Sequence, residues 1–351
     1  MVSPRGGVPD RICIVMMSAV GDAVHVLPVI NALKRANPAT RITWVLQPGA
    51  AALVRGHRSV DEIILFDRSR GWQAFAAVRE ELARRPFDLV INLQVYFKAG
   101  IVTSFTRAPV KLGFDRARAR DFNWAFTNRK IPARPVQHVQ DQYFEFLQAL
   151  GVSPEPIEWD LGPWPPELEW RDRFASSIAR PIAAIVVGTS KPEKDWIPQR
   201  WAEVTDTLHA EFGMQVVLVG GTSKREQEAA RIVTGLARSK PRSELGSGLR
   251  GLVSIIDASA LVLSPDTGPL HMSVALDRPV ISLMGYTNPK RTGPYRRFQD
   301  LIIDAYGEPG EDYPISMENR PDRMKRIETE NVLEKVQLWR ERYSRRRGGQ
   351  A

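Results

Sequence analysis

Short runs of apolar, mostly β-branched residues alternate along the chain with longer stretches whose apolar positions recur at helical spacing. Residues 12–16 (Ile-Cys-Ile-Val-Met) predict a first strand and residues 22–36 the helix after it, with Pro28 predicting a kink. Further strands are predicted at 42–46, 63–66 and 89–93, with a helix at 72–84 among them. This is the rhythm of βαβ units, whose strands run parallel and whose helices cover both faces of the sheet. Residues 153–168 carry Pro154, Pro156, Pro163, Pro165 and Pro166 and so predict an irregular linker. The rhythm then resumes with strands at 182–187, 215–219, 261–263 and 280–283 and a helix at 199–212. A second irregular stretch, 306–323, precedes a last helix at 329–343 with Val332, Val336, Trp339 and Tyr343 on one face. The pattern predicts an α/β chain of two facing, doubly wound, Rossmann-like domains, 1–160 and 169–325. Residues 326–351 follow as a C-terminal helix and a basic tail ending in Arg345, Arg346 and Arg347. Ligands of open α/β sheets bind outside the carboxyl ends of the strands, so an interdomain cleft is expected there.

Composition narrows the class. At 351 residues, 43% hydrophobic and 25% charged, the chain is an ordinary globular one, not a disordered, collagen-like or coiled-coil sequence. Lys and Arg total 49 against 40 Asp and Glu, and the resulting +9 calls for an acidic partner: nucleic acid, a nucleotide, a phosphorylated lipid or an anionic membrane surface. Cys13 is the only cysteine, which excludes an internal disulfide and a Cys-rich zinc site. The first ten residues hold no apolar signal-peptide core, and the apolar run 12–20 is about half of what a bilayer crossing needs. A cytoplasmic protein is expected, meeting a membrane only from the side.

Four segments could carry chemistry. Residues 18–25 (Ser-Ala-Val-Gly-Asp-Ala-Val-His) turn from the first strand into the first helix, with Gly21 allowing a tight turn. Asp22 in the first helical turn either faces a ligand or complements the helix dipole. His25, one turn on, is either its partner or a core histidine. Residues 264–271 (Ser-Pro-Asp-Thr-Gly-Pro-Leu-His) open a helix after a strand, with backbone N–H groups at Thr267, Gly268 and Leu270 expected to point outward to an anion. An N-capping Asp266 on an ordinary loop explains the same residues. The loop 188–196 offers Thr189, Ser190, Lys191 and Lys194 to phosphate, or is simply solvated. The run 220–226 is not a Walker A loop, and no Gly-x-Gly-x-x-Gly, Asp-x-Asp or zinc-spaced histidine pattern occurs. Finally, residues 107–134 hold eight Lys and Arg, among them Arg116, Arg118 and Arg120, interleaved with Phe114, Phe122, Trp124 and Phe126. They form a solvated loop packed by its aromatics or a dock for an anionic substrate. No recognised module makes nucleic acid the expected partner.

Two blocks in this order, 21–28 (Gly-Asp-Ala-Val-His-Val-Leu-Pro) and 266–271 (Asp-Thr-Gly-Pro-Leu-His), are followed by Arg278-Pro279-Val280 and by 285–295 (Gly-Tyr-Thr-Asn-Pro-Lys-Arg-Thr-Gly-Pro-Tyr). From Arg11 to about Tyr343 the chain resembles the ADP-heptose:lipopolysaccharide heptosyltransferases of glycosyltransferase family 9. The resemblance implies the GT-B fold, an acceptor-binding N-terminal domain and a donor-binding C-terminal one. It implies an inverting, metal-independent transfer of heptose from ADP-heptose to an anionic lipopolysaccharide inner core, with no cofactor, in the cytoplasm at the inner membrane face. Asp22 would be the general base, its carboxyl raised above the ordinary ~3.9 by its surroundings, and Lys194 would stand by the departing diphosphate. Thr189, Ser190, Glu226, Asp266, Thr267, Gly268, Leu270 and His271 would hold the donor, Glu226 at its ribose. Gly21, His25, Lys98, Arg116, Arg118 and Arg120 would meet the acceptor. Met16, Asn92, Ser273, Tyr286 and Asn288 depart from the family's usual residues and bear on the donor sugar and the acceptor. The same fold with another nucleotide-sugar donor, with a protein or glycan acceptor, or as a non-catalytic nucleotide-binding relative are the alternatives.

Overall fold

The computed structural model describes residues 7–344 and divides the chain into two units, one up to Asp160 and one from Leu161. The first holds a sheet of β1 (Arg11–Val15), β2 (Arg41–Leu46), β3 (Glu62–Leu65), β4 (Leu89–Asn92), β5 (Val110–Gly113) and β6 (Arg129–Lys130) in the order β3-β2-β1-β4-β5-β6. Its six strands pair in parallel. The second holds β7 (Ile182–Val186), β8 (Gln215–Val219), β9 (Arg242–Ser243), β10 (Leu261–Pro265), β11 (Val280–Met284) and β12 (Ile302–Asp304), ordered β12-β11-β10-β7-β8-β9 and again all parallel. Counted from the first strand of each unit, the two orders are the same. In each, strand order reverses between the first and fourth strands, β1 beside β4 and β7 beside β10.

The central strands are buried on both faces over most of their length, which is why they read as mainly apolar runs rather than alternating ones. Helix Val20–Ala36 buries eleven of its residues, Pro28 among them. It begins two residues earlier than its periodicity predicts, so Gly21 is its second residue and not a turn glycine. The irregular linker is shorter than expected: Pro165 and Pro166 open helix Pro165–Ser176. Proline is at home in a first helical turn, where the missing N–H has no intrahelical partner to lose. Glu167 returns its carboxylate to the Trp164 N–H (2.9 Å), and Arg250 lies 3.6 Å over the Trp164 ring while donating to Leu161 O (3.0 Å). The 161–168 stretch is thereby part of the second unit. So is helix Thr329–Arg342, which buries Val332, Val336 and Trp339. The arginines 345–347 lie outside the described residues.

The basic 107–134 segment is not uniformly a solvated loop. Arg118 is buried and held on both sides, Nε to Asp115 (2.5 Å) and Nη1 and Nη2 to the two oxygens of Glu145 (2.7 Å each), with Pro132 O at 3.0 Å. With four of its five N–H groups committed, three of them to two buried carboxylates, and its side chain buried, Arg118 is a structural residue and not the acceptor contact expected. Arg116 is exposed, 4.7 Å from the Trp124 ring centroid, and Arg120 is exposed with its N–H on Val95 O (2.8 Å). Removing Arg118 leaves two buried carboxylates unpaired. Arg118→Ala is therefore expected to cost roughly 3–5 kcal/mol, read as a lower denaturant midpoint. A loss under about 1 kcal/mol would mean the network is not closed in solution.

Candidate active site

In the first unit the groups of interest follow β1 and β4. Gln94, two residues past β4, accepts from Met17 N–H (3.0 Å) and donates to Ser18 O (2.8 Å). It clamps the turn that leads into helix Val20–Ala36, and Asn92 Oδ1 in turn accepts from Gln94 N–H (3.1 Å). Asp22 stands third in that helix. Its Oδ2 accepts from Ala19 N–H (2.8 Å), reaching back to the helix start, and its Oδ1 accepts from the Tyr143 hydroxyl (3.1 Å). The carboxylate is thus both a cap of its own helix and a half-buried acceptor at the sheet edge. His25, one turn on, is buried: its Nδ1 lies 2.9 Å from Gln140 Oε1, and Gln140 Nε2 donates to His25 O (2.8 Å). It is the core histidine of the two readings, tying its helix to helix Val139–Ala149, and not a surface contact for an acceptor. Lys98 is exposed in the first turn of helix Phe97–Ser104.

In the second unit the groups follow β7, β8 and β10. The loop after β7 is folded around Asp195, whose Oδ1 accepts from the N–H (2.7 Å) and hydroxyl (2.8 Å) of buried Thr189. Arg225 Nε holds the other oxygen at 2.5 Å. Thr189 therefore organises the loop, while Ser190 stands exposed at its tip. The fold of this loop brings Lys194 Nζ to 2.7 Å from Asp266 Oδ2 and 3.2 Å from Asp266 O, after β10. His271 Nε2 is 3.7 Å from the other oxygen. Burial alone would push the Asp266 carboxyl up, but the charge of Lys194, with His271 beside it, brings it below the ordinary carboxylate range.

Helix Gly268–Ala275 starts there, capped by Thr267 with extended backbone. Thr267 and Gly268 reach the surface, whereas Leu270 is buried and its N–H is taken by Thr267 O (3.0 Å). Leu270 is thus not the outward donor expected, because the first turn tightens on itself. Glu226 Oε1 accepts from Gly221 N–H (2.7 Å), and its Oε2 accepts from the Ser223 N–H (3.2 Å) and hydroxyl (2.6 Å), while Ser223 Oγ accepts from Glu226 N–H (3.3 Å), a capping box on helix Lys224–Leu236. The side chain lies where a Cβ at Gly188 would come within 2.7 Å of its Cγ and one at Gly221 within 2.8 Å of its Oε2. Those glycines make room for it.

Tyr143, Gln94, Asp195 and Arg225 were not singled out from the sequence. Each acts through a partner distant in the chain or hidden inside a loop, and only the Asp195 and Arg225 segments stood out as charged runs.

A lowered carboxyl contributes stability that is present above the unfolded-state value of ~3.9 and lost as pH falls through the folded value. Asp266→Asn is accordingly expected to flatten the fall of the denaturant midpoint below about pH 4. An unchanged slope in that window would show that the Lys194–Asp266 pair carries no linkage.

The sequence profile described as Glycosyltransferase family 9 (heptosyltransferase) matches residues 75–316. The lipopolysaccharide core heptosyltransferase OpsX of Haemophilus influenzae is 32% identical over 86% of this chain and 86% of its own. The structure of Escherichia coli heptosyltransferase WaaC with ADP superposes with a TM-score of 0.73 at 25% identity, over 95% of this chain and 99% of that one. The same enzyme with ADP-2-deoxy-2-fluoro heptose gives 0.72 at 25% identity, over 93% and 99%. These likenesses agree with the α/β, GT-B class of fold. A family profile covering most of the chain and a relative of such identity along nearly its whole length leave one assignment: this chain is a glycosyltransferase and belongs to glycosyltransferase family 9.

Proposed function

We propose that this family member transfers heptose from ADP-heptose to a hydroxyl of an anionic lipopolysaccharide inner core, with inversion and without a metal ion, at the cytoplasmic face of the inner membrane. The observation that carries the reading is Lys194 Nζ, 2.7 Å from Asp266 at the opening of helix Gly268–Ala275. A lysine, a helix start and the surface-reaching Thr267 and Gly268 form a cradle for a diphosphate that needs no added cation. The E. coli relative crystallised with ADP and with a fluorinated ADP-heptose supports the donor, and the name of the Haemophilus relative supports the acceptor.

In this mechanism Asp22 takes the proton of the acceptor hydroxyl. The acceptor oxygen forms its bond to the anomeric carbon as the bond from that carbon to the diphosphate oxygen breaks, on the opposite face, and ADP leaves with the electron pair. Lys194 and the helix start meet the charge that develops on the departing oxygen, where electrostatic help counts most. Tyr143, donating to Asp22 at 3.1 Å, orients the carboxylate. Glu226 receives the ribose hydroxyls, held in place by Gly221 and Ser223. Lys98, Arg116 and Arg120 answer the phosphates and carboxylates of the acceptor.

Calorimetric titration with ADP, UDP and GDP, each with EDTA present, tests the donor side. ADP alone binding tightly is the expected result; preference for UDP or GDP overturns the donor, and no nucleotide binding favours a non-catalytic relative. On the acceptor side, Asp22→Asn is expected to lower turnover by about 10²–10⁴-fold with ADP affinity unchanged. Undiminished turnover would remove Asp22 from the mechanism.

A further inference from the structure

Four of the most exposed aromatic side chains of the described residues lie at one place in the fold, the carboxyl edge of the first sheet. Trp72 (83% exposed) follows β3, Tyr96 and Phe97 follow β4, and Phe122 (72% exposed) follows β5. With neighbouring parallel strands about 4.8 Å apart, the loops after β3 and β5, four strands distant in the order, stand on the order of 20 Å from each other along that edge. Single surface aromatics are unremarkable in a soluble protein, but four strongly exposed ones on the loops of one sheet edge mark a surface with a partner.

The row is built, not loose. Phe97 packs edge-on against Phe126 (5.5 Å between centroids) and Trp72 against Phe75 (5.7 Å), so each has a rooted neighbour. The tip that carries Phe122 has both Asp121 and Phe122 in the left-handed region (φ 50° and 58°), a conformation that bulky residues keep only where the surroundings impose it. Asn123 imposes it: its Nδ2 donates to Tyr96 O (2.7 Å), its Oδ1 accepts from Asn92 Nδ2 (3.2 Å), and its N–H bonds Arg120 O (2.9 Å). One asparagine thus locks the Phe122 tip to the Tyr96 loop. Exposed cations stand in the same loops: Arg68 and Arg70 beside Trp72, Lys98 beside Phe97, and Arg116 and Arg120 beside Phe122. Against them are Asp67, occupied by Ser69, and Asp121.

We propose that this edge docks on an anionic lipid bilayer, its aromatics entering the headgroup region and its cations meeting the acidic headgroups. Trp, Tyr and Phe are the residues that gain from a boundary where one side is apolar and the other wet, and clustered Lys and Arg are drawn to an anionic leaflet. The choice of a bilayer over a protein rests on the glycolipid acceptor proposed above. Asp22 follows β1 on the same edge, so docking brings the base to the depth at which a lipid-borne hydroxyl is presented.

The test is co-sedimentation of the full chain with mixed phosphatidylglycerol–phosphatidylethanolamine vesicles and with pure phosphatidylcholine vesicles, free of acceptor, alongside ADP calorimetry on the same samples. The expected result is binding to the anionic vesicles that weakens with added salt and is far weaker on phosphatidylcholine. Trp72→Ser with Phe122→Ser is expected to lower the partition coefficient at least about ten-fold, and Arg68→Ser and Arg70→Ser about five-fold each, with ADP affinity unchanged as the control for folding. Wild-type protein that binds ADP but no anionic vesicles overturns the proposal. So does binding that the aromatic pair leaves unchanged, or a self-association that this pair abolishes in place of vesicle binding. Vesicle binding without ADP binding would overturn the donor reading and leave the docking surface standing.

Discussion

Two adjacent parallel strands whose connections depart toward opposite sides leave the space above their carboxyl ends open. This chain builds that arrangement twice, between β1 and β4 and between β7 and β10, and its chemistry depends on it. The loops that leave these strands cannot cover one another, so short turns there carry polar side chains at a rim above a mainly apolar floor. Asp22 follows β1 and Gln94 follows β4; Lys194 follows β7 and Asp266 follows β10. In each unit the residue on one strand's exit is held by the residue on the other's, Gln94 on Met17 and Ser18, Lys194 on Asp266. Strand order and site geometry are in that sense one fact.

The rims differ in how they treat charge. At the first, the Asp22 carboxylate accepts from a backbone N–H and from a tyrosine hydroxyl, which fix its direction. At the second, carboxylate and lysine meet directly, and the carboxyl is drawn below its ordinary range. The first arrangement fixes the direction of a carboxylate at the start of its helix. The second fixes the position of a lysine beside the start of a helix.

Much of this was legible in the order of residues. Apolar runs bounded by Gly, Asp and Thr located most of the central strands and the turns after them, and Asp22, Lys194 and Asp266 stand at such turns. What escaped has physical causes. Arg118 looked like one more surface cation because a run of arginines says nothing of Glu145, 27 residues on, which closes around it. His25 could be read two ways until Gln140, 115 residues away, was seen to take its ring. Tyr143 is 121 residues from Asp22, on a helix with no special signature. Leu270 and the Pro165–Pro166 pair were misjudged for one reason: the first turn of a helix obeys its own hydrogen-bonding rules, which residue type alone does not report.

The side chain of Glu226 lies across the exits of β7 and β8, in space that exists because positions 188 and 221 lack a Cβ. Three positions from two separate loops therefore behave as a single variable. A methyl group at either glycine would make the glutamate side chain shift, and a shorter residue at 226 leaves a gap that the glycines cannot fill. Drift at any one of them is constrained by the other two, so substitutions there will be tolerated in combination sooner than singly, and their energetic effects will not add.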